Sequence, residues 1–460
     1  MKEISVDRIF ELGIALSEKM QDIFKKIDIP NKDGIRGNIT LLSELDGAKI
    51  TWNSSDKDII TDAYTDGMAA GVVRRQSEDK HIKLTATVLL DGEKASKDFD
   101  VCVLKAPKML SDDDFTGYLF AHFIGEQEGN QEQIYFALSE EGLHFKDMNN
   151  SRPVLISSVG EKGVRDPYMY RSYEGDRFFL IATDLSIYNR GGWFQNEQGY
   201  YDASTTGSSS LVLWETTDLI NWGEPKLLPV APKNAGMAWA PEMIYHEETG
   251  EYVIYFSSSI MNPETKMKAK PNTIFYVTTR DFVNFSETKI FIDNQSDPDG
   301  KAREIIDTTL IKIGDTYYSA SKDGDNSEEN GGIRILKTKD LFNPDSWEKV
   351  LNLTDLGLDI TGLGMKALDN GDLEGPELFL YNKKDWADKD IPEYGIMADR
   401  YMADLGYLPL KTTDLEDTKN EKNSWKILSK DEYSFDKLKK RHGTIISITY
   451  DEIKRIKDNY

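Results

Sequence analysis

One local pattern recurs along the last two-thirds of the chain and narrows the folds open to it. TTDLINW (216–222), TTRDFVNF (278–285), KTKDLF followed by Trp347, and KTTDL followed by Trp425 share a strand end, an aspartate turn, a Leu or Phe, and then an aromatic. SEEGLHF (139–145) is a degenerate further copy. The aspartates at 218, 281, 340 and 414 lie 63, 59 and 74 residues apart. That spacing is too long for a tetratricopeptide unit and fits a four-stranded sheet with a loop insertion. Between copies no long helical period appears, and RDPYMY, FFLIATDL, SLVLWETTD and EPKLLPV read as successive short strands. Sheets repeated radially make a β-propeller, so the expected fold beyond residue 115 is all-β.

A second repeat marks the first strand of each unit. GVRDPYMY, MAWAPEMIY, EIIDTTLI, LEGPELFLYN and KRHGTIIS each set a titratable residue ahead of a short run rich in apolar or β-branched residues. These residues are Asp166, Glu242, Asp307, Glu374 and His442, separated by 76, 65, 67 and 68 positions. The last strand, RHGTIISIT, has no sheet after it, while GYLFAHFI, EQIYFALS and HFKDM (117–148) lack a first strand of their own. Pairing the two ends closes a five-bladed ring and removes an exposed edge. Innermost strands line the axis of such a ring, so residues at their entrances converge on one mouth. A single carboxylate at a strand end is ordinarily a turn acceptor or a solvated charge. Matched placement in successive units is what argues for a site.

Upstream the periodicity differs. Ile9, Leu12, Leu16, Met20, Ile23 and Ile27 recur every three or four residues, which predicts an amphipathic helix over 6–27. ITWNSSD, HIKLTATVLL and KDFDVCVL alternate as half-buried strands do, with Trp52 placed as the central aromatic of a small β-sandwich. The expected division is an N-terminal helix in 1–30, a sandwich in 31–105, a linker at APKMLSDDD (106–114), and a propeller from 115 to 460. On ITWNSSD and LTATVLLDGEKASKDFDVCVL, segment 31–105 resembles the bacterial immunoglobulin-like modules attached to carbohydrate-active enzymes.

Composition excludes several functions. Acidic residues outnumber basic ones 80 to 56, and the net charge of −24 repels nucleic acid and anionic membranes, leaving a neutral or cationic partner. A single cysteine, Cys102, excludes an intrachain disulfide. No stretch approaches the roughly 18 apolar residues of a membrane span. The stretch MKEISVDRIFELGIALSEKM lacks the apolar centre of a signal peptide, so a cytoplasmic location is expected, with secretion after loss of a leader as the alternative.

No nucleophile triad, phosphate loop or HExxH motif is present, and the histidines at 81, 122, 144, 246 and 442 are scattered. Carboxylates remain. Paired acids suit glycosidic cleavage, one protonated to donate to the leaving oxygen and one ionised to activate water. The loop YNRGGWFQNEQGYYDAS (188–204), with Trp193, is rich in aromatics that can stack on sugar C–H faces.

RDPYMY, AWAPEMIYHEETGEYVIYFSS, IIDTTLIKIGDTYYSASKD, LEGPELFLYN and RHGTIISIT together resemble glycoside hydrolase family 43 over roughly 115–455. The resemblance implies a five-bladed propeller, inverting hydrolysis, and arabinofuranosides or xylosides as substrates. It makes Asp166 the general base. Asp307 becomes the carboxylate that tunes and orients the acid, although Thr308 stands where the family often has proline. Glu374 becomes the general acid, its pKa raised by a negative neighbour. Arg165, Trp193, Trp239, Glu242, Arg400 and His442 are assigned to substrate binding, Trp239 and Glu242 with structural support as their alternative and Arg400 with a structural salt bridge as its own. No cofactor is required. A structural Ca2+ at the axis, near His442, is compatible with the resemblance, a hydrogen-bonded channel residue being the other reading of that histidine.

The expected activity is an α-L-arabinofuranosidase acting on an oligosaccharide or a polysaccharide side chain. β-D-Xylosidase and β-D-galactofuranosidase are alternatives on the same scaffold. A retaining β-fructosidase would need an NDPNG-like first blade and a Glu-Cys acid motif, neither of which occurs here. A non-catalytic carbohydrate-binding propeller is the alternative of another class.

Overall fold

The computed structural model describes residues 16–193, 202–293, 304–323, 332–358 and 373–460. The described chain is mostly β, its strands gathered into six four-stranded sheets. No described helix is long and apolar enough to cross a membrane.

The first sheet comprises Glu44–Leu45, Ala48–Ser54, Lys80–Leu90 and Glu93–Val103. Strand alternation puts Ile50 opposite Val88, Val88 opposite Ala95, and Leu84 opposite Phe99, all buried on one face. The helix Glu18–Lys26 lays Met20, Ile23 and Phe24 into the same cluster. It begins where Ser17 accepts the Met20 amide as an N-cap. Ile9 and Leu12 of the expected stripe lie outside the described residues. In place of a two-sheet sandwich, the described part of 31–105 forms one sheet and isolated bridges such as Ile60–Val73. Asp66, Gly67 and Gly71 all adopt positive φ, turning that stretch too often for a second sheet to extend. Trp52 is accordingly half-buried, its indole N–H donating to the Leu42 carbonyl at 2.9 Å.

The other five sheets start at Val164–Arg171, Trp239–His246, Ile305–Ile313, Glu374–Leu380 and Gly443–Thr449. In the first four of these the remaining strands follow in chain order. Gly443–Thr449 instead pairs with Phe115–His122, which leads on to Tyr135–Ser139 and Lys146–Asp147, as the orphaned sequence ends require. The five first strands contact one another in succession, and Gly443–Thr449 also meets Val164–Arg171.

The repeated aspartate turn ends the third strand of four of these sheets. The hydroxyls of Thr216, Thr279, Thr338 and Thr412 accept the amides of Asp218, Asp281, Asp340 and Asp414 at 3.0–3.2 Å. Each aspartate in turn accepts the amide two residues on, at Ile220, Val283, Phe342 and Glu416. The turn drives Leu219, Phe282, Leu341 and Leu415 inward, where all four are buried. One element was not anticipated. The chain continues past its closing strand into a helix, Tyr450–Asn459, started by a capping box between Thr449 and Glu452 and packed through Ile453 and Ile456.

Candidate active site

Four first strands share a β-bulge at their entrance, and the bulge places the functional side chains. Two residues oppose one partner residue between Arg165 and Tyr168, Trp239 and Glu242, Ile306 and Thr309, and Glu374 and Glu377. The extra residue in each case has positive φ: Asp166 (49°), Ala240 (46°), Asp307 (54°) and Gly375 (52°). In three of the four the amide is turned toward the preceding sheet. Ala240 N–H reaches Thr183 Oγ1 at 2.7 Å, Asp307 N–H reaches Ser257 Oγ at 3.2 Å, and Gly375 N–H reaches Asp307 Oδ2 at 3.1 Å. This register corrects the matching expected from spacing. Asp166 and Asp307 are equivalent, and Glu374 precedes them by one place, level with Arg165 and Trp239. Glu242 lies two places deeper, level with Glu377, Tyr168 and Thr309.

The bulge level holds the reactive cluster. Thr183 donates to Asp166 Oδ2 at 2.8 Å, and His442 Nδ1 lies 3.4 Å from Asp166 Oδ1. Burial pushes the Asp166 carboxyl up, but His442, Arg165 and Thr183 outweigh it and hold the group below its ordinary range. Burial likewise opposes charge on His442, yet Asp166, Asp307 and Glu242 raise it to about 9. The pair is therefore imidazolium and carboxylate, which leaves Asp166 ionised and able to accept a proton. Asp307 is raised to about 6, mainly by burial and then by the nearby Glu374 and Asp166 charges. Among the described residues no group of three or more His, Cys, Asp or Glu is placed to hold a metal ion.

Glu374 differs from expectation. Lys322 Nζ donates to its Oε2 at 3.0 Å and Arg441 Nη2 to its Oε1 at 2.8 Å. Burial raises the carboxyl, but these two cations win and lower it below its ordinary value. The raised pKa expected from a negative neighbour belongs here to Asp307 instead, because both oxygens of Glu374 face cations. Lys322, Arg441 and Asp399, the partner of Arg441 at 2.9 Å, escaped the sequence reading. A signal for two of them exists. The second strands end in polar residues, in FLIATD, YFSSS, SASKD and IMADR, and Thr183, Ser257, Lys322 and Asp399 are the cross-strand partners of the entrance positions.

The wall beside Asp166 is aromatic. The Arg165 guanidinium lies 4.7 Å from the Phe123 ring centre and 5.0 Å from that of Trp193, and it pairs with Glu126 at 3.0 Å. Glu126 also accepts the Trp193 indole N–H at 2.8 Å. Trp239 meets Trp193 edge-on at 6.1 Å, its own indole N–H buried without a partner. Residues 194–201 of the aromatic loop lie outside the described residues.

Two residues assigned to binding are engaged within the protein. Arg400 directs Nε and Nη2 to the carbonyls of Gly406 and Tyr407, both at 3.1 Å, and so ties down the turn that follows its own strand. Glu242 is 3% exposed and accepts the Tyr255 hydroxyl at 2.7 Å. Burial raises it to about 8, so it belongs to a protonated interior layer with Glu377, whose Oε1 accepts the Ile445 amide at 2.9 Å.

Comparison with known proteins identifies the family. A family model described as "Probable glycosyl hydrolase domain" matches residues 113–454, and one described as "Atrophied bacterial Ig domain" matches 17–106. A curated alpha-L-arabinofuranosidase of Bifidobacterium longum is 32% identical over 409 residues, which are 80% of this chain and 36% of that protein. The chain thus spans about a third of the length of that relative. Among solved structures, the GH93 alpha-L-arabinofuranosidase of Fusarium graminearum with arabinobiose aligns at TM-score 0.43 and 12% identity, covering 74% of this chain and 86% of that one. An alpha-L-arabinofuranosidase from Lactobacillus brevis aligns at TM-score 0.38 and 14% identity, covering 66% and 93%. On the match spanning 113–454, the chain belongs to the glycosyl hydrolase 43-related family.

Proposed function

We propose that the chain is an inverting glycoside hydrolase that removes terminal α-L-arabinofuranosyl groups from an oligosaccharide or a polysaccharide side chain. Its scaffold is read as a five-bladed propeller over 115–460, with the immunoglobulin-like module of 31–105 ahead of it. The observation that carries this reading is the gathering of Asp166, Asp307 and Glu374 at equivalent or adjacent positions of three first strands. Family membership and the name of the curated relative support it.

Asp166, ionised by its pairing with His442, takes a proton from the attacking water. Glu374 donates to the departing oxygen, and Asp307 lies between them in chain order of the first strands, joined to the Glu374 strand through the Gly375 amide. The aromatic wall of Trp193 and Trp239 stacks on the sugar. A single displacement by water gives a product of inverted configuration.

Glu374→Gln tests the reading. On aryl arabinofuranosides the variant should lose about 10²–10⁴-fold in kcat with a phenol leaving group and far less with a dinitrophenol that needs no protonation. Equal loss on both refutes the assignment. Unchanged sugar binding in a protein that never hydrolyses any aryl glycoside would favour the non-catalytic propeller. A panel of xylosyl and galactofuranosyl substrates decides the sugar.

A further inference from the structure

Glu374 is gripped on both oxygens by cations, the reverse of what a proton donor needs near neutral pH. The surroundings hold a way out. Asp399 lies directly across from Glu374 in the sheet register, a relation in which two carboxylates repel. Arg441 spans the two, with Nη2 on Glu374 Oε1 at 2.8 Å and Nε on Asp399 Oδ2 at 2.9 Å. Asp399 is 0% exposed, and its second oxygen, Oδ1, is buried with no hydrogen-bond partner. A buried carboxylate oxygen lacking a donor, beside a guanidinium that carries five N–H groups in a fork, is a second seat for that fork.

We propose that Arg441 is a positioning residue shared between Glu374 and Asp399, and that it leaves Glu374 for a two-pronged pairing with Asp399 when a sugar enters, freeing Glu374 to take up the proton it donates. This rests on the reading of Glu374 as the acid. The exchange breaks one charge-assisted hydrogen bond, to Glu374 Oε1, and makes another, to Asp399 Oδ1. The proton comes from solvent and leaves on the glycosidic oxygen.

Other charges around Glu374 fix the direction of the balance. Lys322, from the preceding sheet, and Arg165 oppose protonation, whereas Asp307 and Asp399 favour it. Lys322 and Arg441 each lie over an aromatic ring, Tyr401 at 4.2 Å and Phe123 at 5.3 Å, but Arg441 has the unfilled Asp399 oxygen as an alternative partner and is the cation able to depart. The charged His442 and Asp166 form their own pair one level deeper. Burial keeps the Asp399 carboxyl above its ordinary range despite Arg441, as befits a group with half its acceptor capacity unfilled.

The test is the pH profile of kcat, which reports the sugar-bound state, for the full chain, measured on the aryl glycoside that the substrate panel identifies. A general acid works protonated, so activity falls as pH rises through its pKa, and this alkaline limb reports Glu374. Arg441→Gln removes a cation and should move the limb up by about one pH unit. Asp399→Asn leaves Arg441 wholly on Glu374 and should move it down by a similar amount. Opposite shifts support the shared arginine, and shifts of one sign or none overturn it. Asp399→Asn is isosteric and stands alone as the test should Arg441→Gln fail to fold. If Glu374→Gln shows no dependence on leaving group, the functional reading fails; if it does and the limbs stay still, only the shared arginine fails.

Discussion

Glu242 carries a proton at neutral pH because burial raises it from 4.5 to about 8, more than the Tyr255 hydroxyl and the His442 charge can offset. A carboxyl raised on folding adds stability that is complete below its unfolded value and is lost as pH climbs through the folded one. Between about pH 4.5 and pH 8 the native protein must therefore grow less stable on account of this residue. Glu242→Gln keeps an acceptor for Tyr255 and removes the titration. In urea unfolding the variant should gain on the wild type between pH 5 and pH 8.5 by an amount on the order of a few kcal/mol. A constant difference across that range would show that Glu242 is ionised in the folded state.

The bulged first strand is the element on which the site depends, and Gly375 is its tightest point. At φ 52° an added Cβ would stand 2.6 Å from the His442 ring carbon Cγ. Gly375→Ala combines left-handed strain with a push on the residue that pairs with Asp166, so it should cost about 2–3 kcal/mol and lower kcat. Ala240 already bears a Cβ at φ 46° in the equivalent place, and Ala240→Gly should stay within about 1 kcal/mol of the wild type. Thermal unfolding and turnover of the two variants check this; similar behaviour would detach the bulge from function. The same element shows where sequence reading stops. The aspartate turns were visible because their bonds join residues two apart, and the union of chain ends was visible because each end lacked a partner. A one-residue bulge leaves no such mark, since Asp166, Ala240, Asp307 and Gly375 share only a backbone angle, and Glu242 was matched to the wrong level for that reason. Lys322 reaches Glu374 from the preceding sheet and Arg441 from the segment just before Gly443–Thr449, through contacts that local pattern does not encode. The single sheet of the N-terminal module and the helix after Thr449 were missed likewise, being settled by which neighbour covers a short segment.

Across the whole molecule, the N-terminal module is fixed to two of the later sheets by directional polar contacts. Asp176, between the first two strands of its sheet, accepts from Arg36 at 2.7 Å and from Arg75 at 2.8 Å. Arg280, within the repeated aspartate turn of the next sheet, is buried and donates to the carbonyls of Ala69 at 3.2 Å, Ala70 at 2.8 Å and Thr249 at 3.0 Å. Asn38 bridges the Tyr245 hydroxyl and the Gly250 carbonyl at 3.2 and 3.0 Å. Contacts of this kind tolerate little sliding, because each donor is aimed at one acceptor and its desolvation is compensated only in that geometry. The module should therefore unfold together with the sheets it grips, not as a tethered domain free to reorient. Removing one carboxylate tests this, since Asp176→Ala leaves two arginines of the module side by side at the seam without their shared anion. The expected loss is about 2–4 kcal/mol, with one cooperative calorimetric transition in the wild type becoming two in the variant, the module melting first. A variant that still melts in one transition at the wild-type temperature would mean that Asp176 contributes nothing to the coupling, which the other seam contacts then supply.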